Sequence, residues 1–401
     1  MRTQWNFYTA GQLEWGWGCV AGLGRQLERR KLSRVLVVTD PILVQAGIVE
    51  RIRGPLRESS IEHEVFAGGC AEPSIAVALE AYEAAKKFRP DAILGLGGGS
   101  NMDLAKIVAI LQAHGGHPRD YFNFDRVPGP VTPLICVPTT SGTGSEVSHA
   151  AVLTDTDQHL KVSTLSNWLR PNLAVVDPEL TLSCPPKVTA DSGIDALTHA
   201  IEALTARDFS DFDCPSGGQL AYEGHTLLGE ILAERAIGLV GQHLARAVAD
   251  GKDRAAREGM SLAATLAGMA FSNCAVAVVH ALEYPLGGAV HVSHGAGNGL
   301  LLPYVMRFNL PAREAEFARI AQLLGADTAG KTSRAAAEGA IDAVFALRRA
   351  IGIPDKLREL GVTEAMLPIL ASKAFAIKRL MNTNPRQPTE EDLLGILKEA
   401  F

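Results

Sequence analysis

A chain of 401 residues is too long for one ordinary core, so two domains are expected. With 47% hydrophobic and 20% charged residues it is a globular protein, and disorder as a main feature is excluded. The net charge of −6 leaves no basic excess for extended nucleic-acid binding. Six cysteines without a CxxC pair read as reduced thiols rather than a disulfide framework.

The opening residues, MRTQWNFYTAGQLEWGWG, lack the basic-then-apolar layout of a secretion signal. Further on, RVLVVTD (Arg34 to Asp40) is a β-branched run closed by an acid and Pro41, which predicts a buried strand feeding a turn. IEHEVFAG (Ile61 to Gly68) predicts a second strand, and Ser74 to Phe88 has helical spacing. DAILGLGGGS (Asp91 to Ser100) predicts a strand running into glycines, with NMDLAKIVAILQA continuing as a helix. PLICVPTT (Pro133 to Thr140), HAAVLTD (His149 to Asp155) and NLAVVD (Asn172 to Asp177) predict further strands. Strands alternating with helices indicate a parallel, doubly wound sheet.

After Pro185 the texture changes to Ala/Leu-rich helical patterns: Gly218 to Ala249, Arg254 to Ala270, Arg313 to Leu324, Ser333 to Ile351 and Glu364 to Met381. A capping pattern, Thr389 to Asp392, opens the last helix. The expected division is therefore an α/β domain over 1–185 and an all-helical domain over 186–401. The longest apolar run, Ala263 to Val279, is broken by Ser272 and Asn273 and is too short to span a bilayer. A cytoplasmic protein without membrane or nucleic-acid partners is expected.

Chemistry concentrates in two segments. In DSGIDALTHAIEA (Asp191 to Ala203), Asp195 and His199 stand four apart in a helical pattern and so share a face. In NCAVAVVHALEYPLGGAVHVSHGAGNG (Asn273 to Gly299), His280, His291 and His294 lie in apolar or Gly-rich surroundings. One carboxylate with imidazoles suits iron(II) or zinc. Each segment also has a plain reading, as a satisfied core histidine or a solvated i,i+4 pair.

Together these segments resemble the iron-containing (group III) alcohol dehydrogenase family, and the resemblance spans nearly the whole chain. It implies the dehydroquinate synthase-like architecture, with a Rossmann-like dinucleotide-binding domain followed by a helical, metal-binding catalytic domain. In that family the last two metal-binding histidines are fourteen residues apart, a spacing met by His280 and His294. The resemblance therefore implies the ligand set Asp195, His199, His280 and His294, with His291 outside it. The implied activity is an NAD(H)-linked alcohol dehydrogenase or aldehyde reductase, in which the metal polarises the reacting oxygen and hydride passes to or from the nicotinamide.

GGGSNMDLAK (Gly97 to Lys106) resembles the family's pyrophosphate cradle, implicating Gly97, Gly98, Gly99 and Ser100. The pattern is not GxGxxG, and Ser100 with Asp103 also reads as a plain capping box. PTTSGTGSE (Pro138 to Glu146) resembles the second cofactor loop, implicating Thr139 and Thr140, and Lys161 matches a family lysine near the cofactor. An acid at the end of the first sheet strand, Asp40, can accept from ribose hydroxyls and repel a 2′-phosphate, which favours NAD over NADP; equally, it can be a turn former before Pro41.

Two departures concern substrate. Where many members carry a relay histidine four residues after the third ligand, this chain has Tyr284, and just before Asn384-Pro385-Arg386 it has Lys378 and Arg379. A cation there can contact an anionic alcohol, aldehyde or oxo-acid substrate; otherwise the pair is a solvated basic turn. Hydroxyacid–oxoacid transhydrogenation on the same fold, a lyase of the dehydroquinate synthase type and a catalytically silent metal- or nucleotide-binding module are the competing readings. The resemblance implies a homodimer or larger homo-oligomer.

Overall fold

A computed structural model describes residues 2–157, 160–214 and 218–401. The chain divides into two compact units, one comprising Tyr8–Cys184 and the other Pro185–Phe401 together with Met1–Phe7. Residues 2–7 thus belong with the helical unit. Asn6 Nδ2 donates to Glu223 Oε1 at 3.2 Å, and the Arg2 guanidinium pairs with the same carboxylate.

The α/β unit contains β1 (Leu13–Trp15), β2 (Arg34–Val38), β3 (Glu62–Phe66), β4 (Ala92–Gly97), β5 (Asn123–Phe124), β6 (Leu134–Pro138), β7 (Ala150–Asp155), β8 (Leu160–Leu165) and β9 (Leu173–Val176). Six of them form one parallel sheet in the order β1-β9-β6-β4-β2-β3. Its central strands are apolar at nearly every position because both faces are covered. Leu36, Val38, Ile93 and Leu134 pack on one side, against Ile75–Phe88 and Gly99–His114. Val35, Val37, Leu94, Leu96 and Ile135 pack on the other, against Leu23–Arg29 and Ile48–Glu58. Each such side chain contributes roughly 1.5–3 kcal/mol relative to exposure.

The sequence reading and the fold differ in four places. HAAVLTD is not part of the parallel sheet: β7 pairs antiparallel with β8, which pairs parallel with β5, in a separate three-stranded sheet. The helix expected from Gly218 begins only at Leu227, where the Thr226 hydroxyl accepts from Gly229 N. The residues before it are held in other backbone bonds, Glu223 N to Asn273 O and Gly224 N to Cys274 O. The helix expected over Glu364 to Met381 is broken into Leu367–Phe375 and Lys378–Thr383. A tight Lys378 N to Ala376 O bond at 2.9 Å replaces the helical one there. Fourth, β1 precedes Arg34–Val38, so Asp40 follows the second strand in chain order. The predicted capping box at Thr389 is present, with Asp392 N donating to the Thr389 hydroxyl and Thr389 N to Asp392.

Candidate metal and cofactor sites

The helix Pro186–Thr205 starts on a proline, which needs no amide partner in the first turn. From Asp195 to Thr205 all its residues are buried, so its polar side chains must find partners inside the unit. Thr198 and Thr205 bond back to carbonyls of their own helix, Ile194 O and Ile201 O. Asp195, His199 and Glu202 follow at i, i+4 and i+7 and lie along one face.

Two further helices meet that face. Val278–Val290 presents His280, and His294–Asn309 begins at His294. The glycines of HGAGNG allow the close approach. A Cβ on Gly295 would lie 1.9 Å from Asp191 O, and one on Gly299 would lie 2.7 Å from Ile194 side-chain carbons. Gly295 and Gly299 are one turn apart, so the stripe facing Pro186–Thr205 carries no side chain at either point.

One ligand atom from each of Asp195, His199, His280 and His294 lies within 4.8 Å of all the others. The first three residues are buried and His294 is half-buried. His291 is exposed, in the left-handed conformation (φ 54°) that ends Val278–Val290, away from this group.

Two carboxylates orient the imidazoles. Glu202 Oε2 accepts from His280 Nδ1 at 2.6 Å, and the same carboxylate accepts from Ala277 N and Val279 N at 2.9 and 2.7 Å. Glu283 holds His294 Nδ1 in a short hydrogen bond. With Nδ1 held by a carboxylate, Nε2 of each ring is the lone-pair edge, and it is aimed at the cluster. Asn298 Nδ2 lies 2.8 Å from Asp195 Oδ1, 3.2 Å from His280 Nε2 and 3.1 Å from His294 Nε2. Acceptors outnumber donors at this point, the arrangement a divalent cation fits. Burial by itself raises the Asp195 pKa, but the nearby His199, His294 and His280 and the Asn298 bond outweigh it and hold the carboxyl below its ordinary value.

Glu202, Glu283 and Asn298 are absent from the sequence reading, although each sits three or four residues from a proposed ligand on its own helix. That spacing was the available signal. Replacing Glu202 by Gln leaves an amide that cannot serve His280 Nδ1 and both backbone donors as a carboxylate does. Metal affinity is expected to fall by about ten- to a hundredfold, as for other outer carboxylates, measured by competition with a chelator.

Tyr284 lies one turn after His280, its ring centroid 6.4 Å from that of His280 and 6.0 Å from that of His294. Burial pushes its phenol pKa up, and the charge of Arg379 partly offsets the push. The basic pair splits, with Lys378 exposed and Arg379 half-buried.

In the α/β unit β2 has β3 on one side and β4 on the other, a point where strand order reverses and ligands of such sheets commonly bind. Gly97, at the end of β4, has φ +142°, and a Cβ there would lie 2.3 Å from Asn101 Nδ2. Gly98 precedes the helix Gly99–His114, and no side chain caps that N-terminus. The capping box read at Ser100 does not form. Ser100 Oγ accepts from Glu72 N, and Asp103 accepts from the Ser145 hydroxyl and Val152 N. Asn101 N and Met102 N donate to Gly98 O, and no side chain takes the first-turn amides.

Thr139 N donates to Gly97 O, and Thr140 lies beside Gly98. Lys161 pairs with Glu72 at 2.6 Å, in the loop that also meets Ser100. Asp40 caps Pro41–Gln45 through Leu43 N at 2.9 Å and accepts from Asn101 Nδ2 at 2.7 Å. Its turn-forming role is therefore real, and a carboxylate has further lone pairs for a ribose hydroxyl. Lys106, to which the sequence reading gave no role, is fully buried and binds Ser145 Oγ, Ser148 O and Ala150 O. It fastens the helix Gly99–His114 to the loop between β6 and β7, and burial lowers its pKa.

Comparison with known proteins agrees with this geometry. Residues 11–178 match the family model "Iron-containing alcohol dehydrogenase", and residues 223–401 match "Fe-containing alcohol dehydrogenase family, C-terminal". The chain is 35% identical over 396 residues to the NAD-dependent methanol dehydrogenase of Bacillus methanolicus, covering 99% of this chain and 100% of the relative. Among solved structures, a 1,3-propanediol oxidoreductase superposes with a TM-score of 0.93 at 34% identity, covering both chains completely. The sulfoacetaldehyde reductase of Bifidobacterium kashiwanohense, in complex with NAD+, superposes with a TM-score of 0.85 at 28% identity, covering 100% of this chain and 99% of that one. With both halves matched and relatives aligned end to end, the chain belongs to the iron-containing alcohol dehydrogenase family and is an oxidoreductase of alcohols and aldehydes.

Proposed function

We propose that Asp195, His199, His280 and His294 hold one Fe2+ or Zn2+ ion, and that the glycine turn of the α/β unit holds NAD. The observation that carries this is the convergence of one buried carboxylate and three imidazoles, two of them locked by Glu202 and Glu283. The reaction is the interconversion of a small alcohol with its aldehyde or ketone. When bound, the ion supplies Lewis-acid polarisation of the substrate oxygen, and the nicotinamide takes or gives the hydride.

The protein's own residues do the rest. Glu202 and Glu283 keep His280 and His294 in one tautomer, and Asn298 orients Asp195. Tyr284 stands where relatives with the HxxxHP pattern carry histidine, and its hydroxyl is a hydrogen-bond donor for the substrate end of the site. Gly97, Gly98, Gly99 and Ser100 offer backbone amides to the pyrophosphate. Thr139, Thr140 and Lys161 line the same nucleotide site, and Asp40 meets the adenosine ribose. The lyase and silent-module readings drop out, because the matched relatives are alcohol and aldehyde oxidoreductases.

We place the enzyme in the cytoplasm as a homodimer or larger homo-oligomer. All six cysteines are thiols outside any disulfide, as a reducing compartment favours. Among the described residues no helix is long and apolar enough to cross a membrane.

The test is an NADH-oxidation screen over short aldehydes and oxo-acids, after reconstitution with Fe2+ or Zn2+. Absence of turnover with every substrate and both ions counts against the reading. Cofactor choice has its own test. Asp40→Gly keeps most of the helix cap, since glycine costs only a few tenths of a kcal/mol there. It removes the charge facing a 2′-phosphate, so the NADPH-to-NADH ratio of kcat/KM is expected to rise about tenfold. An unchanged ratio would leave Asp40 as a helix cap alone.

A further inference from the structure

Lys378 and Arg379 are adjacent in sequence but differ in what they can reach. Consecutive helical positions point about 100° apart. Lys378 is exposed, its Nζ 3.2 Å from the centroid of the Phe375 ring, a contact made on the surface of its own segment. Arg379 is half-buried, and its Nη1 atom is fully buried. One turn further on, Thr383 donates its hydroxyl to Val276 O at 2.8 Å, just before the helix Val278–Val290. Residues four apart share a helix face. The face bearing Arg379 and Thr383 is therefore turned to the segment that presents His280 and Tyr284. The helix Lys378–Thr383 packs against Val278–Val290.

Tyr284, on that segment, has its ring centroid 6.4 Å from that of His280 and 6.0 Å from that of His294 in the ligand cluster. A substrate whose carbonyl lies at the cluster would pass Tyr284 and bring its far end towards a planar cation. A guanidinium fork matches a carboxylate or sulfonate with two parallel hydrogen bonds, and the match strengthens where water is scarce.

We propose that Arg379 determines the substrate class of this enzyme by binding the anionic end group of a short aldehyde or alcohol acid. The proposal rests on the alcohol dehydrogenase reading of the cluster. Lys378 takes no part. A positive charge at the far end of the site also disfavours cationic alcohols.

The test compares butanal with 4-oxobutanoate, which have the same chain length and differ in the terminal carboxylate. The metal-reconstituted wild type and the variants Arg379→Ala, Arg379→Gln, Arg379→Lys and Lys378→Ala are assayed, with far-UV circular dichroism and metal content as checks on folding. For Arg379→Ala and Arg379→Gln, kcat/KM with 4-oxobutanoate is expected to fall about ten- to a hundredfold, chiefly through KM, with less than about a threefold change for butanal. Arg379→Lys should recover part of the loss, and Lys378→Ala should match the wild type on both substrates. Equal losses on both aldehydes would show that Arg379 acts by supporting Tyr284 and would overturn the proposal. So would no loss on either, or a wild type that reduces butanal and ignores 4-oxobutanoate. If the wild type turned over neither of these aldehydes nor any other in the screen, the alcohol dehydrogenase reading would fail. Calorimetry with propionate and ethanesulfonate would then decide the anion site separately, since the proposal requires binding by the wild type that Arg379→Ala loses.

Discussion

His280→Ala is expected to abolish tight metal binding and to lower kcat by about a thousandfold or more, because several kcal/mol of charge stabilisation at the reacting oxygen disappears with the ion. His280 sits near the middle of the group, stacked at 4.9 Å on His199 and 5.2 Å from His294 between ring centroids. Removing it takes away one acceptor and opens a gap between the other two imidazoles. The fold should survive. Glu202 keeps the Ala277 and Val279 amides as donors, so the entry to Val278–Val290 stays fastened. Added Fe2+ or Zn2+ should raise the Tm of the wild type by mass action and leave that of the variant unchanged. Metal analysis of the purified variant is the direct check, and full occupancy would show that the ligand set is wrongly drawn.

Gly295→Ala attacks the same centre without touching a ligand. The added methyl would meet Asp191 O at 1.9 Å, and Asp191 belongs to the backbone of a helix buried along most of its length. A backbone oxygen cannot rotate away, so the helices must separate. Overpacking of this kind costs about 1–3 kcal/mol. The consequence for function is larger than for stability. Asp195 and His199 ride on one of these helices and His294 on the other, so separation pulls the ligand atoms apart. A displacement near 1 Å at a reacting centre costs on the order of a hundredfold in rate. The expected result is a modest fall in Tm with a large fall in metal affinity and turnover. Gly288→Ala is the control, since a Cβ there meets nothing within 4 Å. If Gly295→Ala bound metal as tightly as the control, the close approach would not be what builds the site.

The two experiments divide the site into what local sequence encodes and what packing adds. Strands such as Arg34–Val38 and Ala92–Gly97 were legible because a short β-branched or apolar run bounded by turn residues has few other uses. The pairing of Asp195 with His199 was legible for a related reason: positions four apart share a face in any α-helix. The capping box at Thr389 and the glycine turn at Gly97 to Gly99 are likewise contained within a few residues. Resemblance joined the two metal segments, which no periodicity connects.

What only the tertiary structure decided lies beyond that range. Strand pairing is a long-range choice, so Ala150–Asp155 looked like a member of the parallel sheet and instead joins Leu160–Leu165 in another. The break at Ala376 and Ile377 came from an alternative turn bond that helical propensity does not foresee. Lys378 and Arg379 are interchangeable as letters, and only the seating of Thr383 on Val276 O determined which of them turns inward. Glu202 and Glu283 look like ordinary charged helix residues. They become buried partners of His280 and His294 because three helices meet at bare glycine surfaces, where a buried imidazole must have its second nitrogen satisfied.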